Sequence, residues 1–385
     1  MEKITFVIPS RNNLEFLQLA YKSIRDLDTK HEVLVLNDAS TDGTAEWIGA
    51  QNDKDLIVYH NPGPERIGIV GMFDKGIEMA RTKIIMAFHA DMVVCKDFDK
   101  NILKHLKPLT VVSATRVEPP LHPDGPEKIM KNFGVEVEEF KFEDWYTQSE
   151  SLKEDKTTEG IFAPWCMYKE DFLSIGGHDE LFAPQSKEDS DLFNRFFLNG
   201  YTLVQSWDAL VYHFTSRGSR FNKHSGGAAG KNSDEWIHTT TKNGRNFVRK
   251  WGHFIKHDKL MKPIIPHKYD VQFNIENCTI EILNVLEPWC DRIVTDLDSD
   301  AIKQYIDFEQ PNTTIDLTKR INVDIDSDIE VSFDARALNQ NSFQFIQNLS
   351  EIFDFNEFDS GEYEFDIFNI KVNRVKHYEN DLINL

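Results

Sequence analysis

Cysteine is sparse in this chain, and the four present, Cys95, Cys166, Cys278 and Cys290, form no CxxC pair. With no histidine cluster at zinc-motif spacing, the sequence suggests neither a disulfide framework nor a structural metal. Reduced thiols in a cytosolic setting are the expectation. Long apolar runs are missing too. No stretch reaches the 18 apolar residues of a membrane span, and no basic n-region with an apolar h-region follows Met1. The expectation is a cytoplasmic protein with no transmembrane segment, peripheral to a membrane at most. Positive charge is also short: a net charge of −21 excludes the basic footprint that bulk nucleic-acid binding needs.

What is present suffices for two packed cores, with 385 residues of which 40% are hydrophobic. The acidic excess sits at one end. Residues 265–385 hold 25 Asp and Glu against 9 Lys and Arg, a net of −16, which leaves −5 for the remainder. Pro263 and Pro266 mark a border, so residues 1–262 are read as one domain and 263–385 as a small acidic α+β accessory domain.

The first part reads as alternating strands and helices. Residues 4–8 (ITFVI), 32–36 (EVLVL), 56–60 and 84–88 (IIMAF) are strands, and helical spacing covers 14–27, a stretch starting near Ala45, and a stretch ending at Ala80. A βαβα opening predicts an α/β fold with a mostly parallel sheet flanked by helices. The fourth run stops on His89, Ala90 and Asp91, which delivers a carboxylate to a strand's carboxyl end, where open α/β sheets bind ligands. Further strands are expected at 111–117, 162–168, 202–204 and 209–212, and helices at 169–175, from Asp189, and at 236–254. The segment 216–230 (SRGSRFNKHSGGAAG) is expected to be a mobile loop. In the tail, 314–317, 321–325, 329–333 and 362–372 alternate like strands, and 342–353 reads as a helix.

Taken in order, FVIPSRNN, VLNDASTDGT, the DKG at 74–76, FHAD, GGHDELF and KEDSDLFNRF resemble family 2 glycosyltransferases of the GT-A fold. The resemblance covers about two-thirds of the chain. It implies a nucleotide-sugar donor, most often a UDP-sugar, and a divalent cation, Mn²⁺ or Mg²⁺, bridging its diphosphate. Pro9, Ser10 and Arg11 would flank base and ribose, Asp38 would accept from the base, and Arg66 would lie beside the base or phosphates. The family's Asp-x-Asp appears here as His89-Ala90-Asp91, which keeps the last Asp as metal ligand, with His213 completing the metal site. Arg217 and Arg220 would close over the diphosphate from the loop. Asp189 is implied as general base, with Glu188 as its acceptor-binding partner. Trp165 and Asp179 are candidate acceptor contacts, each with a structural role as the alternative.

Acceptors of glycan, lipid-linked or protein type are all compatible, as is a homo-oligomer formed through the C-terminal domain. Two other readings stay open. A sugar nucleotidyltransferase would want a Gly-rich basic loop that PSRNN does not supply. A non-catalytic nucleotide-sugar-binding or assembly module would retain the fold after losing the motif's first Asp.

Overall fold

The computed structural model describes residues 2–323, 325–356 and 358–385. It divides into two compact units. The first runs to Thr240 and takes in His257–Ile264 and Leu385; the second comprises Thr241–Lys256 and Ile265–Asn384. The chain therefore crosses between units more than once, where the prolines alone suggested a single border.

The first unit begins β1 (Ile4–Ser10), α1 (Leu14–Arg25), β2 (Glu32–Asp38), α2 (Thr44–Gly49), β3 (Leu56–Asn61), α3 (Ile69–Met79) and β4 (Ile84–Ala87). It continues with β5 (Met92–Val94), α4 (Phe98–Leu103), β6 (Thr110–Glu118), β7 (Ile129–Met130), α5 (Phe142–Gln148), β8 (Thr157–Thr158), β9 (Trp165–Tyr168), α6 (Lys169–Ser174), α7 (Glu188–Leu198) and β10 (Thr202–His213), and α8 (Asp234–Trp251) begins in this unit and ends in the second. The sheet order is β3-β2-β1-β4-β9-β6-β10-β5, with β7 on β6 and β8 on β10.

Strands β3, β2, β1 and β4 are parallel neighbours, and β6 runs parallel to β10. The reversed strand β9 joins the two blocks, antiparallel to both β4 and β6. The carboxyl ends of β1, β2, β4, β6 and β10 therefore share one edge. Helices cover the faces because their apolar residues fall on one stripe. In α1 that stripe is Phe16, Leu17, Ala20 and Ile24, each large aliphatic contributing roughly 1.5–3 kcal/mol by leaving water.

Two local expectations change. Residues 202–204 and 209–212 are one strand, β10, whose register against β6 shifts between Ser206 and Leu210. The polar Ser206-Trp207-Asp208 break is thus a bulge and not a turn. Strand β5 had no separate sequence signal, yet it pairs with β10 so that Met92 faces His213. That register brings Asp91 and His213 together.

In the second unit the strands are β11 (Val271–Glu276), β12 (Arg292–Thr295), β13 (Ile329–Asp334), β14 (Gly361–Phe365) and β15 (Phe368–Val372), and the helices are α9 (Ile280–Leu286), α10 (Ser299–Glu309), α11 (Gln340–Gln347) and α12 (Leu349–Asn356). The order is β12-β11-β13-β15-β14, parallel across β12-β11-β13 and antiparallel beyond. The single strand expected at 362–372 is a hairpin turning at Asp366, a non-glycine residue at φ 52. Residues 314–317 are not a strand. Asp316 caps the short turn Leu317–Lys319, and Gln310 binds the carbonyls of Thr313 and Ile315. Of residues 321–325, Asp324 lies outside the described residues, and Ile321 makes one isolated bridge to Ile293. Among the described residues, no helix is long and apolar enough to cross a membrane.

Candidate active site

At the carboxyl edge of the first unit, a cleft of about 90 Å³ is lined by Pro9, Ser10 and Arg11 from the end of β1, Asp38 from β2, His89 to Asp91 after β4, and Ser216, Gly218 and Ser219 after β10. Each loop is short and turns sharply. Non-glycine residues sit in the left-handed region at Asn12, Ala39, Ser186, Lys187, Thr215 and Ser216, a strained backbone that clusters where side chains must be aimed at a site.

Asp91 is buried. Its Oδ2 accepts the backbone N–H of Arg217 at 2.6 Å and lies 3.7 Å from His213 Nε2. The other ring nitrogen of His213, Nδ1, donates to Glu118 Oε1 at 2.8 Å, which leaves the Nε2 lone pair facing Asp91. A carboxylate behind the imidazole is how metal-ligating histidines are oriented. His89, Asp91 and His213 each offer a ligand atom within 4.8 Å of the others. Burial pushes the His89 imidazole down, against Asp91 and Asp189, which pull it up. A neutral ring is the form that can ligate. The donor set therefore fits a divalent cation.

Glu118 was not singled out from the sequence. It is fully buried at the end of β6 and also holds Arg116 at 3.0 Å and Lys128 at 2.9 Å. Burial raises its carboxyl, but Arg116, His213 and Lys128 together hold it well below the usual range. The one available signal was an acidic residue closing the apolar run TVVSATRVE.

Asp38 Oδ1 accepts from Asn61 Nδ2 at 2.7 Å and from the Ile67 N–H at 2.9 Å, and Oδ2 accepts from the Gly68 N–H at 2.8 Å. The carboxylate fixes the Arg66–Gly68 loop and keeps lone-pair capacity for one more donor. Arg66 and Arg11 converge on Glu235 Oε1, at 2.9 and 3.3 Å. The Nε of Arg11 is buried without a hydrogen-bond partner among the described residues.

Glu188 and Asp189 open α7. Glu188 is buried, and one of its carboxyl oxygens finds no partner among the described residues. Burial first, then the neighbouring Asp189 charge, raises its carboxyl to about 8. Asp189 is only partly buried. Farther along the helix, Arg195 pairs with Asp191, four residues before it, at 2.9 Å and binds the Ile175 and Gly177 carbonyls, so the helix is tied to the Gly176-Gly177 turn. A side chain at Gly177 (φ 74) would meet Asp74 Oδ2 at 2.6 Å, and Asp74 in turn accepts from His178.

Several sequence-predicted residues have other placements. Trp165, a candidate sugar platform, is 1% exposed and packed between Phe172 and Phe196, so it offers no face to an acceptor. Asp179 caps the short turn Glu180–Phe182. Arg217 turns its guanidinium inward to the Val135 carbonyl and Glu136; its backbone, and not its charge, faces Asp91. Arg220 pairs with Asn232 at 2.6 Å and lies over the Trp236 ring. The segment expected to be a mobile loop is tied down at Asn222, which donates to the Arg11 and Asn12 carbonyls.

The sheet order, with a carboxylate at the carboxyl edge of its strands, is that of a GT-A α/β fold. Residues 5–174, somewhat less than half of the chain, match the family model for glycosyl transferase family 2. Over 68 residues it is 34% identical to an undecaprenyl-phosphate mannosyltransferase from Micrococcus luteus, a match covering 17% of this chain and 28% of that protein. Among solved structures, GalNAc-T7 with UDP, GalNAc and Mn²⁺ superposes with a TM-score of 0.47 at 13% identity, covering 65% of this chain and 48% of that one. A Pyrobaculum calidifontis mannosyltransferase with GDP-Man and Mn²⁺ gives a TM-score of 0.39 at 20% identity, covering 55% and 56%.

Proposed function

We propose that this chain is a metal-dependent, inverting glycosyltransferase that moves a sugar from a nucleotide-sugar donor of the UDP-sugar class to an acceptor hydroxyl. The observation that carries this reading is the convergence of Asp91 and His213, backed by Glu118, at the same sheet edge as Asp38 and the Arg11–Arg66 pair. Pro9, Ser10, Arg11 and Asp38 hold base and ribose, and Arg66 faces the phosphates. His89, Asp91 and His213 would hold the cation, which supplies counter-charge to the departing diphosphate. Asp189 takes the acceptor proton as the hydroxyl oxygen bonds to the anomeric carbon. The bond to the nucleotide breaks on the opposite face, and the configuration inverts. Glu188, neutral, donates a hydrogen bond on the acceptor side. Residues 263–385 act as an accessory domain.

Two imidazoles and one carboxylate favour Mn²⁺ over Mg²⁺, which prefers all-oxygen sites. The test is nucleotide release from a panel of UDP- and GDP-sugars, with each ion, by wild type and Asp91→Ala. Release of one nucleotide, faster with Mn²⁺ and lost in Asp91→Ala, is expected. If the folded protein neither binds nor turns over any donor, the reading fails.

Glu235 makes a second prediction. Its carboxylate occupies the Arg66 guanidinium that faces the phosphates and the Arg11 guanidinium on the ribose side, and Ser225 Oγ donates to its other oxygen at 3.0 Å. Glu235→Gln removes the competing charge and is expected to lower the donor KM several-fold with kcat little changed. An unchanged or higher KM would show that the contact is not competitive.

A further inference from the structure

We propose that the second unit carries a binding site for a borderline divalent cation of the zinc type, formed by His267, His377 and Glu379. These residues offer three ligand atoms within 4.8 Å of one another. The two histidines lie 110 positions apart, so no sequence spacing announces them. Their rings stack at 3.8 Å between centroids, inclined by only 11°; because an imidazole lone pair lies in the ring plane, the exposed His377 must turn its ring out of this stack to bring its nitrogen onto the ion held by His267 and Glu379. His267 Nδ1 faces Asp354 Oδ1 at 3.0 Å, which leaves Nε2 directed toward Glu379 Oε1, 3.9 Å away.

The groups that orient His267 and Glu379 are already in position. Asp354 also accepts from the Tyr269 hydroxyl at 2.7 Å and from the His267 N–H at 3.2 Å. Glu379, which is buried, uses its other oxygen to accept the Lys268 N–H at 3.2 Å. The His377 ring is braced edge-on against Tyr269, 5.2 Å between centroids. This is the carboxylate–histidine–cation order in which the outer carboxylate fixes the tautomer and orientation of the ligating ring.

Among the described residues, neither Asp354 nor Glu379 pairs with a lysine or arginine. Two carboxylates therefore face two imidazoles without a fixed cation. Two nitrogens and one carboxylate oxygen suit zinc, with a fourth position for water, and do not suit Mg²⁺ or Ca²⁺. The bound ion would fasten the segment at His377–Glu379, already joined to Lys268 by the Tyr378 N–H at 2.8 Å, onto the start of β11.

The experiment uses the full-length chain stripped with chelator. Zn²⁺ is titrated calorimetrically and melting is followed with and without the ion, all in an Asp91→Ala background that disables the other histidine cluster. One zinc equivalent and a raised melting temperature are expected. Both should be lost in the added His377→Ala substitution, which removes an exposed side chain and lowers the metal-free melting temperature only by the loss of its ring contacts with His267 and Tyr269, so the zinc-induced rise is read against each protein's own metal-free value. Equal zinc binding with and without His377, or none in either protein, would overturn the assignment.

Discussion

Asp189→Asn is expected to reduce kcat by ~10²–10⁴-fold, the range for a removed general base, while the donor KM stays near the wild-type value. Two adjacent carboxyls open α7, and their surroundings separate them. Glu188 is buried with an unpartnered oxygen, and burial together with the Asp189 charge raises its carboxyl to about 8. At neutral pH it mostly carries a proton and cannot accept another. Asp189 is more open, and its charge reaches the His89 imidazole in the cleft wall. Asparagine keeps the size of the side chain and its place in the first helical turn, so lost turnover would report the proton acceptor.

Glu188→Gln is the informative contrast. Glutamine imitates the neutral form, so most of the turnover should survive. In the wild type, the unfolded chain ionises near the ordinary value of 4.5 while the folded carboxyl resists until about 8. Folding is therefore penalised progressively as pH rises through that window. The variant lacks the penalty and should melt at a higher temperature than wild type at pH 7–8, with the two converging near pH 4.5. Melting curves across pH 4.5–8 read this directly. If Glu188→Gln instead loses turnover as fully as Asp189→Asn, the base is Glu188.

Much of this site was legible because its residues follow strands in a fixed order. The apolar run ending at Phe88 places Asp91 at a strand end, and the cluster before Leu192 places Glu188 and Asp189 at a helix start. What could not be read depends on contacts distant in sequence. Glu118 becomes a site residue only through β6 lying beside β10, whereas His213 was named beside Asp91 through the family resemblance, and strand β5 supplies the register that joins them. Trp165 carried a core role as the alternative to sugar stacking, and the core role holds because Phe172 and Phe196 pack against its ring. In the second unit, β11 went unrecognised although its exposure alternates. Its apolar Val271, Phe273 and Ile275 alternate with Gln272, Asn274 and Glu276, so the period-two signal of a half-buried strand was there to be read.

Glu287→Ala is expected to destabilise the second unit by about 3–5 kcal/mol, the cost of removing one partner from a buried ionic cluster. Glu287 is 1% exposed. Its oxygens accept from Arg249 at 2.7 and 3.0 Å, from Arg320 Nε at 2.8 Å and from the Tyr305 hydroxyl at 3.0 Å. Glu309 serves Arg249 and also Arg245, the latter at 2.7 Å. Removing Glu287 leaves Arg320 without this carboxylate and sets Arg249 and Arg245 against Glu309 alone, all within a low-dielectric interior. Glu287→Gln keeps the shape and two acceptor positions and should cost less. Burial alone would raise the Glu287 carboxyl, but Arg320 and Arg249 outweigh it and hold it at about 2. Its contribution is accordingly complete above the ordinary value of 4.5 and lost as pH falls from there toward 2. Hydrogen exchange of peptides covering residues 280–320, compared between wild type and Glu287→Ala at pH 7, measures the loss where it arises. An increase in opening of less than about fivefold, equivalent to roughly 1 kcal/mol, would show that the arginines find water or other partners, and that the cluster does not hold this unit together.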